Sequence, residues 1–450
     1  MFQTHRFLFV VGSALYLFFA TLTLINLHNR MRTKCFSNDY NQGYDLFVRS
    51  KKSSARLLDE SSVGKAGSFG NNSYRLDHGL VNEFELLVHP NSNSDVKIES
   101  NGKGTRLFDP LHTSFDKEIK NYEAKFNMMF GHLNVSKDKY LIYLCSSACG
   151  GWGDRIKGIV TSYLLSVISN RTFGINITFP CQLNQFLIPN LVNWDFTLRE
   201  NELFSVSDLD YITNHEDIQG KIQNVEFSQY KDTVIHVRIN QDWIDQLRKH
   251  IVFRTIVPQM QSELYSDVIR IIYFALFKPS NRLRENIENF IQNNVGDKKL
   301  ACFHARTGVG ENTRYNIDEF ESVWSFLAEF NISGEYKIFL TSDNKDITKL
   351  AGSRFGSNLV KIDHEVTHID NDGSCDGFLA ALSDHGILMR CDVLALTASG
   401  FSYQAAHLRQ TSRHLYCFFR THGLYPCRRD LIKYSYGWPC SMNNRDQICM

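Results

Sequence analysis

The sequence predicts an α/β fold built on a parallel sheet of Rossmann type, on two observations. From residue 298 to 408, short apolar runs of strand character alternate with stretches of helical spacing over roughly 110 residues, the pattern of parallel strands joined by crossover helices. Upstream, 139–145 (KYLIYLC), a turn holding Gly150, Gly151 and Gly153, and the amphipathic stretch 156–170 make a strand, a glycine-rich loop and a helix. Such a loop lets the backbone approach a ligand closely at a helix N-terminus.

The elements follow in chain order. Residues 7–25 are 19 uncharged, almost wholly apolar positions, which at about 1.5 Å per residue nearly cross a hydrocarbon core. No small-residue cleavage site follows them cleanly, so they read as an uncleaved signal anchor behind a short cytoplasmic tail, 1–6. Arg6 precedes this span and Arg30, Arg32 and Lys34 follow it, a bias that alone would leave the bulk of the chain in the cytosol. Two features outweigh it. Five N-x-S/T sequons, at Asn71, Asn134, Asn170, Asn176 and Asn331, suit a luminal chain. Of eleven cysteines, Cys417, Cys427, Cys440 and Cys449 crowd the last 34 residues without any C-x-x-C, which reads as disulfides in an oxidising compartment. A single-pass type II protein of the Golgi or ER membrane is therefore expected. Cys302 and Cys391, inside predicted strands, read as buried thiols, and Cys35, just past the span, can bridge two chains into a homodimer.

Residues 28–113, rich in Ser, Asn, Gly and charge, read as a luminal stem. A first Rossmann-like domain is expected over 137–297, on the acceptor side, with helices at 242–250, 264–277 and 283–294. Its aromatics Trp194, Phe196, Tyr211, Tyr230 and Trp243 suit sugar stacking or, more commonly, a core. A second domain is expected over 298–416, with strands at 298–305, 336–343, 358–363 and 391–397 and helices at 377–390 and 403–408; a cysteine-rich tail, 417–450, follows.

In such a sheet the carboxyl ends of the strands face the ligand crevice. His304 and Arg306 leave the first of these strands there, and Ser342 and Asp343 leave the next. A guanidinium is planar, permanently charged and able to hold two phosphate oxygens, so Arg306 is the leading candidate for a nucleoside diphosphate contact. The turn Ser399, Gly400, Phe401 and Ser402 lies between a strand and a helix, where free N–H groups and the dipole suit an anion. Asp154 and Arg155 stand in the first turn of the upstream helix; the residues alone leave Asp154 open between a helix cap and a ligand contact.

The order GGWGDRIKGIVTSYLL, FHARTGVGE, IFLTSDN and CDVLALTASGFSYQAA resembles the GDP-fucose-dependent fucosyltransferases, the superfamily of α1,2-, α1,6- and protein O-fucosyltransferases, over 139 to about 410. The resemblance implies a GT-B type fold of two facing Rossmann-like domains, with the nucleotide sugar bound mainly by the second. It implies that Arg306 holds the β-phosphate and stabilises the leaving charge, with His304 beside the diphosphate or ribose. It further implies that Asp343 meets the nucleoside, that Ser399, Phe401 and Ser402 close on the phosphates, and that Gly151, Gly153, Asp154 and Arg155 approach the donor. Asp154 stands where the family has Asn, and Thr307 where many members have a second arginine.

Inverting transfer needs a base for the acceptor hydroxyl and a stabiliser for the departing diphosphate, across an oxocarbenium-like transition state. Glu311, five residues past Arg306, is the first candidate for the base and Asp154 the second. Asp370 and Asp372 form a D-x-D pair, but in a polar loop away from an apolar strand they read as plain surface. With Arg306 supplying the charge, no metal or cofactor is expected. The partners expected are a GDP-fucose donor, a glycan or glycoprotein acceptor, and the membrane. The balance of 49 Lys plus Arg against 48 Asp plus Glu argues against nucleic acid. The alternatives are a non-catalytic luminal binder of sugar nucleotides or glycans on the same fold, and a transferase for another nucleotide sugar.

Overall fold

The computed structural model describes residues 115–196, 198, 205–210, 230–308, 315–362, 368–420 and 422–435, all within one compact unit. The expected anchor and stem, Asn71, Glu311, Cys35, Cys440 and Cys449 lie outside the described residues. None of the described helices is long and apolar enough to cross a membrane.

Among the described residues twelve strands form three sheets. In chain order they are β1 (Ser136–Cys145), β2 (Arg171–Ile177), β3 (Leu187–Pro189), β4 (Val206–Asp210), β5 (Val234–Arg238), β6 (Phe277–Pro279), β7 (Lys299–Ala305), β8 (Tyr336–Ser342), β9 (Leu359–Val360), β10 (Val393–Leu396), β11 (Leu415–Phe419) and β12 (Gly423–Pro426). The first sheet has the order β2-β1-β5-β4 and is parallel throughout. The second has the order β12-β11-β10-β7-β8-β9 and is parallel except for the β11/β12 pair. β3 and β6 make a small antiparallel ladder.

The second sheet shows why its strands read as unbroken apolar runs. Leu300, Ala301, Cys302 and Phe303 of β7 are all 0% exposed, as a central parallel strand covered on both faces requires. One face joins Cys302, Phe339 and Leu394 to a core shared with Leu141, Ile159 and Phe274 of the first half; the other packs Phe303 and Ile338 on Phe320 and Trp324. Trp194 and Trp243 are buried in the shared core, as the commoner reading of those aromatics expects.

Three expectations are corrected. Cys302 and Cys391 are not thiols but a disulfide, because β7 and the start of β10 lie side by side and bring the two sulfurs together. The second sheet continues past residue 416, since β11 and β12 close its edge and Cys417–Cys427 bridges them; residues 417–426 thus belong to the sheet and not to a separate tail. The strand expected over 358–363 pairs only at Leu359 and Val360. Further disulfides join Cys145 to Cys149 and Cys181 to Cys375.

Both parallel sheets reverse their strand order once. In the second sheet the chain builds β8 and β9 on one side of β7, then returns to place β10 and β11 on the other. Parallel sheets hold ligands beyond the carboxyl ends of the strands at such a switch point. Here that point lies between the residues after β7 and those after β10. The same reversal occurs in the first sheet between β1 and β5, where the glycine-rich loop emerges.

Candidate active site

β7 ends at Ala305 and delivers Arg306 to the crevice. The backbone N–H of Arg306 donates to Thr397 Oγ1 at 2.9 Å, and Thr397 Oγ1 in turn donates to the His304 carbonyl at 3.1 Å, which ties the ends of β7 and β10 together. The guanidinium is held by Asp343: Nη1 lies 2.8 Å from Oδ2, with the arginine side chain 27% exposed and the aspartate 10%. Asp343 also accepts from Thr307 N at 2.7 Å, Thr307 Oγ1 at 3.1 Å and Gly308 N at 2.9 Å. Thr307, at the position where a second arginine is usual in the resembling family, is buried and fixes the loop instead.

In the first half, the glycine-rich loop leads into the helix Trp152–Ile168. Arg155, expected at the donor, is 0% exposed and spends its guanidinium on the protein itself. Its Nε donates to Gly150 O at 3.0 Å, Nη1 to Phe179 O at 2.6 Å and Nη2 to Asp370 Oδ1 at 2.8 Å. Asp370 also accepts from Cys149 N at 3.2 Å and Gly150 N at 2.6 Å. Arg155 is therefore an internal strut, and Asp370 is not plain surface, because its carboxylate is committed to three protein donors across the two halves. Arg238, after β5, supports the same loop through a hydrogen bond to the Ala148 carbonyl and an ion pair with Asp210 at 2.9 Å.

Two helix N-termini meet at this point. A Cβ on Gly153 would collide with the carbonyl of Gly400, the first residue of the helix Gly400–Leu408, so the close approach requires glycine. Asp154 lies at the same junction: a Cβ on Gly400 would come 3.3 Å from its Oδ1. A carboxylate suits the positive ends of two helices. Lys157 pairs with Asp154 at 2.7 Å, and the Asp154 side chain is 37% exposed.

The remaining predicted residues build the wall. Phe401 packs between two buried imidazoles, His304 at 5.2 Å and His385 at 5.1 Å between ring centroids. Burial first, and His304 second, push the pKa of His385 down to about 3. Two hydroxyls turn inward, that of Ser402, expected at the phosphates, and that of Ser342, expected to leave its strand toward the donor. Ser402 Oγ donates to Thr397 O at 3.2 Å and to Ser399 O at 3.3 Å, and Ser342 Oγ donates to Ala305 O at 2.7 Å. They brace the strand ends, since a buried hydroxyl takes the nearest carbonyl. Ser399 caps the Gly400 helix through its backbone, with no side-chain bond to the helix N–H groups.

The structure thus pairs Arg306 with Asp343 beyond β7 and β8, gathers Gly151, Gly153, Asp154 and Gly400 at the helix junction, sets Phe401 of that junction against His304 at the end of β7, and places Arg155, Ser342 and Ser402 in the supports of this site. Sequence reasoning missed His368 as a member. It precedes the helix Ile369–Asp372 and lies against Gly151. The only signal was its position beside Asp370, and that loop read as surface. Of the sequons, Asn134, Asn170 and Asn176 are exposed, whereas the half-buried Asn331 accepts from Asn358 at 2.8 Å.

No protein-family model matches the chain, and no curated protein does. Among solved structures the chain is similar to a mutant of Arabidopsis thaliana FUT1 in complex with GDP, with a TM-score of 0.45 and 14% identity over 68% of this chain and 79% of that one. It is also similar to the fucosyltransferase NodZ from Bradyrhizobium (TM-score 0.42, 14% identity, 65% of this chain and 99% of that one). A third is the glycosyl transferase family 9 protein from Veillonella parvula (TM-score 0.30, 13% identity, 63% and 86%). Likeness at this level assigns no residue a role.

Proposed function

We propose that the chain is a glycosyltransferase that moves fucose from GDP-fucose to a hydroxyl of a glycan or glycoprotein, with inversion and without a metal. The observation that carries this reading is Arg306, fixed by Asp343 at the switch point of a parallel sheet and facing a crevice where two helix N-termini converge. Leaving diphosphate needs fixed positive charge at the oxygen that departs, and a guanidinium locked on one edge supplies it without reorganisation. The helix N–H groups add donors with the same polarity. The motifs that carry the resemblance touch in space: Gly153 of the glycine-rich stretch packs on Gly400 of the turn after β10, and Phe401 of that turn packs on His304 at the end of β7, although up to about 250 residues separate them.

The acceptor's proton goes to a carboxylate. Glu311, the first candidate for it, lies outside the described residues; Asp154, the second, stands half-open at the helix junction. A type II anchor over 7–25 would hold this crevice in the lumen of the Golgi or ER, where disulfides form.

The test is binding of GDP-fucose, GDP-mannose and a UDP-sugar to the purified chain with EDTA present, followed by transfer to a glycan array. Selective binding of GDP-fucose and transfer that survives EDTA are expected. Binding of none of the three would end the reading.

A further inference from the structure

His368 precedes the short helix Ile369–Asp372, and its Nδ1 accepts the Asp370 N–H at 3.3 Å. An imidazole nitrogen that accepts an amide hydrogen carries none itself, so the neutral ring bears its proton on Nε2. Burial is the largest cause that holds this pKa below the usual imidazole value; Asp370 and Asp154 oppose it, and Arg306 and Arg155 reinforce it. The side chain is thus an uncharged donor with a fixed tautomer.

Its Nε2 edge faces the glycine-rich loop, where a Cβ on Gly151 would come 3.3 Å from Nε2 and 3.9 Å from Cε1. Just beyond this loop two helix N-termini, both of donor character, meet at Gly153 and Gly400, with Asp154 already paired to Lys157, and Arg306 adds positive charge to the field at the ring. A group with several acceptor oxygens and negative charge fits among these donors, and a neutral N–H adds a directional bond without further charge.

From this juxtaposition we infer that His368 donates from Nε2–H to a phosphate oxygen of the bound nucleoside diphosphate, opposite Arg306, and so positions the leaving group. This rests on the nucleotide-sugar reading above. Asp370 has a second role in it: its N–H sets the tautomer, while its carboxylate holds the loop that the ring faces. Folding of the two halves together and orientation of the donor then depend on one short segment.

The conservative variants separate this role from a merely structural one. His368→Asn keeps an oxygen able to accept the Asp370 N–H, because asparagine caps helices well, but has no donor at the Nε2 position. His368→Gln restores a donor near Nε2. The affinities of the full-length chain for GDP, UDP and guanosine are measured by calorimetry and competition, together with Tm. The expected result for His368→Asn is a loss of roughly tenfold in GDP affinity, with guanosine affinity and Tm unchanged, and partial recovery in His368→Gln. Unchanged GDP affinity in His368→Asn overturns the inference. Parallel loss of GDP and guanosine affinity with a lower Tm also overturns it, since the ring would then only hold the loop. A wild-type chain that binds neither nucleotide removes the nucleotide-sugar reading and this inference together; wild-type binding with an unimpaired variant removes the inference alone.

Discussion

Asp370, in the short helix Ile369–Asp372, lies 2.8 Å from the buried guanidinium of Arg155 at the head of the Trp152 helix, 215 residues earlier in the chain. This pair joins the two sheets through the glycine-rich loop. It fixes where that loop stands relative to the helix Ile369–Asp372.

Arg155→Ala leaves the Asp370 carboxylate without its cation in a site only 13% exposed. Breaking one side of a buried pair typically costs about 3–5 kcal/mol. Urea denaturation should show that loss, with part of it recovered in Arg155→Met/Asp370→Asn. A variant as stable as the wild type would mean that the pair does not hold the halves together.

Arg306→Ala should weaken GDP binding by roughly 10- to 100-fold, the range for a charge-assisted contact, while leaving stability nearly unchanged because the side chain reaches solvent. Asp343→Asn should lower affinity too, through the loop and the guanidinium it orients. If Asp343 acts through Arg306, the double variant binds no worse than the weaker single one. Additive losses would separate the two residues.

Gly153→Ala should force the Trp152 and Gly400 helices apart, since the added methyl meets backbone that cannot rotate away. Overpacking of this kind costs about 1–3 kcal/mol and should lower Tm by roughly 2–10 °C. GDP affinity should fall with it. An unchanged Tm would show that the junction has room.

Acid should destabilise the fold before its carboxylates titrate. Burial is the main cause that lowers His385 to about 3 and His407 to about 4. Unfolded imidazoles take up protons near 6.5, so the unfolded chain binds more protons across this interval and stability falls as the pH drops. Between pH 6.5 and 5 each ring contributes a loss of about 2 kcal/mol. Denaturant midpoints at pH 7, 6 and 5 measure it, and His385→Gln/His407→Gln should flatten the slope. An equally steep slope in the double variant would assign the effect elsewhere.

The strands, the two helices behind the loops at their ends and the place of Arg306 just past a strand end were legible because each depends on a local pattern: an apolar run, an abrupt polar end, a small-residue turn. Arg155 was legible as a position but not as a role. Its acceptors, Gly150, Phe179 and Asp370, are set by packing between halves, and no spacing in the chain encodes that contact. Ser342 and Ser402 failed for a related reason: a hydroxyl at a strand end can turn to a ligand or to a carbonyl, and the sequence looks the same in both cases. Cys302 and Cys391 read as lone thiols because partners 89 positions apart become neighbours only once β7 and β10 are paired.

Cys181 belongs to the first half of the described chain and Cys375 to the second, and their sulfurs are joined. The connecting peptide is then no longer the sole covalent link between the halves. A protease that cuts once anywhere in 182–374 should leave a single species on a non-reducing gel and release two fragments only after reduction. That redundancy would let a nicked molecule keep its two halves in register.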